Sequence, residues 1–319
     1  MNPIKISVCI PVYGVEKYIE RCARSLFEQT MTDGIEFIFV NDCTKDKSIA
    51  ILERVLEEYP ARKSQVKIIH HEQNSGLIAA RNTGLAHAQG DYIIHCDSDD
   101  WVDLNMYKTM YNKAVETDAD VVCCSHIEEY KNKKKTFSPV LANTICEYIE
   151  KNTGSNFNSL WNKLYKSKIA QDKSLCLPKH IYMGEDILRN IQMLSRCSKI
   201  AFSPEVYYHY ERNETITKNI LVAKKNWQQF VDVVDIIEKL DYKPFPDFTL
   251  LLKSHALFLA LKTADVSAKE YYALYQSKVY RDILKLKYLP LWKKVILAIS
   301  VVSHRAAQTL CLFLLKIKF

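Results

Sequence analysis

Residues 90 to 103 read Gly-Asp-Tyr-Ile-Ile-His-Cys-Asp-Ser-Asp-Asp-Trp-Val-Asp. Tyr92 to Cys96 has the mostly apolar character of a buried strand, and it runs straight into Asp97, Asp99 and Asp100. If the extended backbone continues, Asp97 and Asp99 point to one side, and Ser98 and Asp100 to the other. Two converging carboxylates suit a hard divalent ion such as Mg²⁺ or Mn²⁺. Such ions take oxygen ligands, and Mg²⁺ is commonly held by one or two carboxylates with substrate phosphates completing its shell. The competing reading is a turn that caps the next helix, a role that suits Asp103 before Leu104. An Asp-x-Asp is too short to decide alone.

The sequence on either side supplies the fold. Ile4 to Ile10 and Ile35 to Val40 are near-continuous apolar runs of the kind a strand buried on both faces needs. Between them Val15, Tyr18, Ile19, Cys22 and Leu26 recur at helical spacing, and a second helix is expected over Lys47 to Tyr59. Val66 to His71 reads as a third strand, Ser75 to Gln89 as a helix and Tyr92 to Cys96 as a fourth strand. A helix from Leu104 to Glu116 then leads to a strand from Asp120 to Ser125. Successive β-to-α alternation predicts an α/β fold, a mostly parallel sheet with helices on both faces. Ligands bind beyond the carboxyl ends of such strands. Pro11-Val12-Tyr13, Asn41-Asp42, the His70-to-Ser75 loop and Asp97-Ser98-Asp99 all fall there.

Beyond Ser125 the pattern changes. Lys131 to Lys135 is expected to be a solvated hairpin tip, Asn158 to Ile169 a short amphipathic helix, and Met183-Gly184-Glu185-Asp186 the opening of a helix to Met193. Lys199 to Phe202 and Val206 to Tyr210 read as a pair of short strands. From Leu221 the chain is expected to be mostly helical, with breaks near Tyr242 to Pro246 and at Pro290.

Composition narrows the function. The chain of 319 residues has room for one large domain with additions, or for two domains. Its ten cysteines lie in apolar surroundings without a Cys-x-x-Cys pair, as small buried hydrophobes in a reducing compartment do. The net charge of +7 resides wholly in residues 283 to 319, which hold seven Lys or Arg and no acid. The rest balances, so no nucleic-acid footprint is expected, whereas the tail is suited to an anionic surface. Lys293, Ser300, His304 and Gln308 form a narrow polar stripe on an otherwise apolar helical wheel. That pattern predicts a helix lying in the membrane interface. The seven glycines form neither a dinucleotide fingerprint nor a P-loop.

Four stretches in order carry a family resemblance: Ile6 to Tyr13, Val40 to Asp46, Asn74-x-Gly76 with Ala80-Arg81-Asn82-x-Gly84, and Gly90-Asp91-Tyr92 leading to Asp97-Ser98-Asp99-Asp100. Together they resemble the family 2 glycosyltransferases of GT-A fold, the inverting enzymes of bacterial surface-polysaccharide type. The likeness is strong from about residue 4 to 125, weaker at Gly184-Glu185-Asp186, and absent beyond about 220. It implies inverting transfer from a nucleotide-diphosphate sugar, often UDP-linked, to a hydroxyl of a growing glycan or lipid-linked acceptor. Carried over by position, Pro11, Val12, Tyr13, Asp42, Arg81, Asp97 and Ser98 would bind donor. Asp97 and Asp99 would hold Mn²⁺ or Mg²⁺, and Asp186 would be the catalytic base. The implied layout is a catalytic domain over 1–220, with a donor half to 130 and an acceptor half from 131. A helical extension over 221–288 and a basic interfacial helix over 289–319 would follow. The implied location is cytoplasmic, on the inner face of the cell membrane.

Each role has a rival. Arg81 can instead hold helix on sheet, Asp42 can form an ordinary Asx turn, and Glu185 or Asp186 can cap a helix. His95 is expected to be a hydrogen-bonded core residue rather than a metal ligand. Two other functions compete: a sugar nucleotidyltransferase, which usually opens with a glycine-rich basic loop where Pro11-Val12-Tyr13-Gly14 stands, and a non-catalytic nucleotide-sugar binder or membrane adaptor, which should lack the acids or the base. Cys43 where Gly is more frequent, and Gly14 where Asn is common, depart from the family pattern and bear on donor preference.

Overall fold

The computed structural model describes residues 3–152, 159–175, 177–178, 181–212, 224–240, 246–263, 265–287 and 289–317. The chain divides after Arg212 into two compact units; the boundary expected near 220 lies outside the described residues.

In the first unit β1 (Ile6–Val12), β2 (Ile35–Asn41), β3 (Val66–His70) and β4 (Tyr92–His95) alternate with α1 (Ile19–Phe27), α2 (Ser48–Glu57) and α3 (Leu77–His87). All seven residues of β1 are buried, which explains its near-continuous apolar run. Ile6, Val8, Ile10 and Val12 pack with Ile19, Cys22 and Leu26 of α1 and with Phe37 and Phe39 of β2. On the other face of β1, Cys9 meets α3, where a Cβ added to Gly84 would sit 3.0 Å from the Cys9 Cβ. Gly90 enters β4 so close to β1 that a Cβ would lie 2.7 Å from the Ser7 backbone nitrogen. β1 pairs in parallel with β2 and β4, and β2 with β3, so four strand ends face one edge.

The remaining strands are β5 (Trp101–Val102), β6 (Val121–Tyr130), β7 (Lys133–Phe137), β8 (Lys163–Lys166) and β9 (Ile200–Glu211). They extend the sheet in the order β3-β2-β1-β4-β8-β6-β9-β5, with β7 on β6. The sheet is mixed: β8 runs antiparallel to β4 and β6, while β9 is parallel to β6. The other described α-helices of this unit are α4 (Met106–Thr117), α5 (Ile145–Asn152), α6 (Ser167–Ala170) and α7 (Glu185–Leu194). The Lys131 to Lys135 run forms the tip and return strand of the β6–β7 hairpin, as expected.

Three expectations need correction. The helix expected over 158–169 is the strand β8 followed by α6; residue 158 is not described. Trp161, Leu164 and Tyr165 fit either period, and pairing of Tyr165 with Ile93 of β4 and Val121 of β6 selects the strand. The two short strands expected near 200 and 206 are one strand, β9, whose register against β6 shifts between Cys124 and Ser125. The tail is two helices rather than one.

Described helices of the second unit are α8 (Lys224–Lys239), α9 (Pro246–Lys262), α10 (Ala268–Ala273), α11 (Ser277–Lys285), α12 (Leu291–Val302) and α13 (His304–Ile317). Ile296, Leu297, Ala307 and Cys311 join a core with Leu257, Leu261 and Tyr271. The polar stripe of the tail turns inward. Ser300 accepts from the Tyr271 hydroxyl at 2.7 Å, His304 packs at 4.9 Å from the Tyr271 ring, and Gln308 donates to the Thr263 carbonyl at 3.5 Å. Leu291 and Val302 on α12 and Phe313 on α13 are 76%, 87% and 58% exposed. The polar stripe therefore shares the packed face with part of the apolar surface, the Ser300 hydroxyl finding a hydrogen-bond partner and the His304 ring an aromatic one. Among the described residues no helix is long and apolar enough to cross a membrane.

Candidate active site at the carboxyl edge of the sheet

β4 ends at His95, and residues 97 to 100 form a turn closed by a bond from the Asp100 backbone nitrogen to the Asp97 carbonyl, 3.1 Å. The alternation expected for Asp97 and Asp99 on one extended strand does not occur. A turn separates the acids by role. Asp100 is buried and accepts from the Tyr208 hydroxyl at 2.7 Å and the Glu211 backbone nitrogen at 2.8 Å. Tyr208 also receives the Asp97 backbone N–H at 2.9 Å, so β9 grips the turn from beneath. No side chain among the described residues hydrogen-bonds the Asp99 carboxylate. Burial, then the adjacent Asp97 charge, raise its pKa to about 6. Asp97 is also raised by burial, with Arg81 opposing and Asp186 reinforcing. Ser98 is buried within the turn.

Arg81 is the hub. Its guanidinium, 2% exposed, bonds Asp97 at 2.8 Å and also pairs with Glu185 and Asp186 at the start of α7. Burial opposes its charge, and Asp186 and Asp97 outweigh burial, so its pKa rises above the ordinary value. Residues more than a hundred positions apart in sequence are thereby joined. Gly184, at φ +80°, lets the chain turn into α7 without a side-chain cap, so Glu185 and Asp186 are committed to Arg81 rather than to capping. Asp186 remains the more accessible acid, with 28% of its side chain exposed against 4% for Glu185. Arg81 thus ties α3 to the Asp97 turn and to the start of α7. Asp103 does not cap α4 either: it accepts from the Tyr207 backbone nitrogen at 3.0 Å and faces His209.

At the neighbouring strand ends, Asp42 is buried. It accepts from the backbone nitrogens of Ser75 and Gly76 and contacts His71 Nδ1, all at 2.8 Å. It shapes the loop into α3. Pro11 and Val12 are buried within β1, so only their backbone can face a ligand, whereas Tyr13 is 54% exposed. His95 is buried, with Nδ1 unpartnered among the described residues. Burial and then Arg81 lower its pKa well below the usual range, so it is a neutral core group, though not the hydrogen-bonded one expected.

Residues outside the quoted motifs also build this edge. Arg21 of α1 donates to the Asp99 carbonyl at 3.0 Å, pairs with Glu211 at 2.9 Å and lies 3.6 Å from the centre of the Trp101 ring. His209 stacks on Trp101 at 4.9 Å and sits between Glu129 and Asp103 at 2.9 and 3.0 Å. No local spacing reveals this column, because its members come from α1, β5, β6 and β9.

Asp97 and Asp99 fit a divalent cation that draws its remaining ligands from substrate phosphates and water: two acids on one turn, each raised by burial, are what such an ion relieves. Among the described residues no group of three or more His, Cys, Asp or Glu side chains is gathered for a metal.

Residues 7–184 match the family model described as glycosyl transferase family 2. The chain is 31% identical over 216 residues to the "uncharacterized glycosyltransferase EpsJ" of Bacillus subtilis strain 168, a match covering 65% of this chain and 61% of that protein. It thus spans less than two thirds of that relative's length. Among solved structures, S. aureus TarS 1-349 superposes with a TM-score of 0.68 at 17% identity, covering 96% of this chain and 89% of that one. The same fragment has been solved with UDP and with UDP-GlcNAc. The mannosyltransferase PcManGT of Pyrobaculum calidifontis, in complex with GDP-Man and Mn²⁺, superposes with a TM-score of 0.59 at 15% identity, covering 99% and 86%. These likenesses show the same fold, an α/β sheet of GT-A type followed by a helical region. With more than half its length matched by the family model, the chain belongs to glycosyl transferase family 2.

Proposed function

We propose that the protein transfers a sugar from a nucleotide-diphosphate sugar, UDP-linked, to a hydroxyl of a growing surface glycan or lipid-linked acceptor, with inversion at the anomeric carbon. The observation that carries this reading is the Arg81 hub, which draws the Asp97 turn and the acids of α7 to one point at the carboxyl edge of the sheet. Family membership supports the reaction class, and the nucleotide and Mn²⁺ complexes of the structural neighbours support the donor class and the ion. Tyr13 and Asp42 would border the base and ribose, with Asp42 acting through the loop it organises. Asp97 and Asp99 would hold Mn²⁺ or Mg²⁺, which when bound neutralises charge on the diphosphate. Arg81 orients Asp97 and Asp186. Asp186 takes the proton of the acceptor hydroxyl as its oxygen bonds to the anomeric carbon, and the bond from that carbon to the diphosphate oxygen breaks, releasing the nucleoside diphosphate.

Asp99→Asn is expected to abolish metal-dependent binding of a UDP-sugar, since it removes a charged ligand where few are available. Calorimetry with and without Mn²⁺ measures this. Equal, metal-independent binding by variant and parent would overturn the metal assignment.

The exposed apolar residues of α12 and α13, amid a tail with seven cations and no acid, support a second element of the reading: docking on the inner face of an anionic membrane. Removing residues 289–319 should end co-sedimentation with anionic vesicles. A truncated protein that is folded and still sediments would place the contact elsewhere.

A further inference from the structure

A cavity of about 530 Å³ opens between α3 and the chain leaving α6, lined in part by Asn82, Leu85, Ala86, Gln171, Lys173 and Arg189. Arg189 is 2% exposed, and no carboxylate among the described residues bonds its guanidinium. Nη2 donates to Asn82 Oδ1 at 2.7 Å, and Nε has no partner among the described residues. Asp172, the acid on the same wall, is already engaged by Arg196 Nε at 2.6 Å and by the Ser174 hydroxyl at 2.7 Å. Burial, followed by repulsion from Arg81, pushes the Arg189 guanidinium down to about 10, with Asp186 opposing. A buried cation with only a neutral amide as partner is unfavourable unless an anion joins it. Its planar fork matches phosphate and carboxylate.

We propose that this cavity binds a small oxyanion, phosphate or carboxylate, with Arg189 as the charged anchor, Asn82 beside it and Lys173 at the rim. The site is distinct from the Arg81 hub, although Arg189 lies one helical turn beyond Asp186 on α7. That proximity supplies the rival account, in which Asp186 balances Arg189 at a distance and no ligand is needed.

The test is calorimetry and thermal unfolding of the full chain with inorganic phosphate, ionic strength being held constant with chloride. The parent should bind phosphate saturably and unfold at a higher midpoint. Ala86 is an exposed helix position on the cavity wall, so Ala86→Glu should fold normally and bring a carboxylate to Arg189. This variant should unfold at a higher midpoint than the parent in phosphate-free buffer. It should also bind phosphate about tenfold or more weakly, the scale of losing a charge-assisted hydrogen bond. Arg189→Gln, where it folds, should lose binding likewise. Competition by glycerophosphoglycerol would assign the anion to a phosphodiester of an acceptor; failure to compete would assign a free anion. Absence of saturable phosphate binding, or binding indifferent to Ala86→Glu, would overturn the proposal and leave Asp186 as the counter-charge.

Discussion

Asp186→Asn is expected to lower turnover by a factor on the order of 100 or more while donor and metal binding stay close to the parent's. An inverting displacement needs one base on the acceptor side, and the amide keeps the shape of the carboxylate while losing its ability to take a proton. Asp186 sits at the first turn of α7, more exposed than Glu185 and held in place by Arg81. Arg81 retains Asp97 and Glu185 in the variant, so the fold should lose only about 1 kcal/mol or less, the scale of one hydrogen bond. Steady-state kinetics together with donor calorimetry separate the effects. Parental turnover in a folded Asn variant would move the base to another acid, Glu185 first.

Arg81→Gln should destabilise the protein by about 3–5 kcal/mol, the scale of breaking a buried ion pair by removing one partner. Asp97, Glu185 and Asp186 would then share a buried site with no cation to join them. Arg81→Lys should recover only part of this, because a point charge cannot span three carboxylates as a guanidinium does. Denaturant unfolding reads the difference. An unchanged midpoint for Arg81→Gln would mean that the three acids are balanced by something other than Arg81.

The first four strands, and the gathering of their carboxyl ends at one edge, were legible because parallel strands buried on both faces must be almost continuously apolar, as β1 is. The acid turn was legible as a motif but not as geometry. β4 stops at His95, and Asp100, one residue beyond Asp99, is drawn into the core by Tyr208. No local pattern announces a tyrosine 108 residues away. The same holds for Arg81: its identity was evident, while its choice of Glu185 and Asp186 depends on where α7 lands. The β8 strand was misread because four residues are too few to separate a helical from an extended period. In the tail, a stripe of polar residues pointed to water by composition, whereas the partners Tyr271 and Thr263 turn it inward.

The most direct test of the proposed reaction is to incubate the purified parent with a panel of nucleotide sugars, with and without Mn²⁺, and to measure release of nucleoside diphosphate. The expected result is slow hydrolysis confined to one donor or a few, dependent on Mn²⁺ and abolished in Asp99→Asn. A folded parent that neither binds nor hydrolyses any donor on the panel, or that does so equally without metal and with Asn at 99, would contradict it.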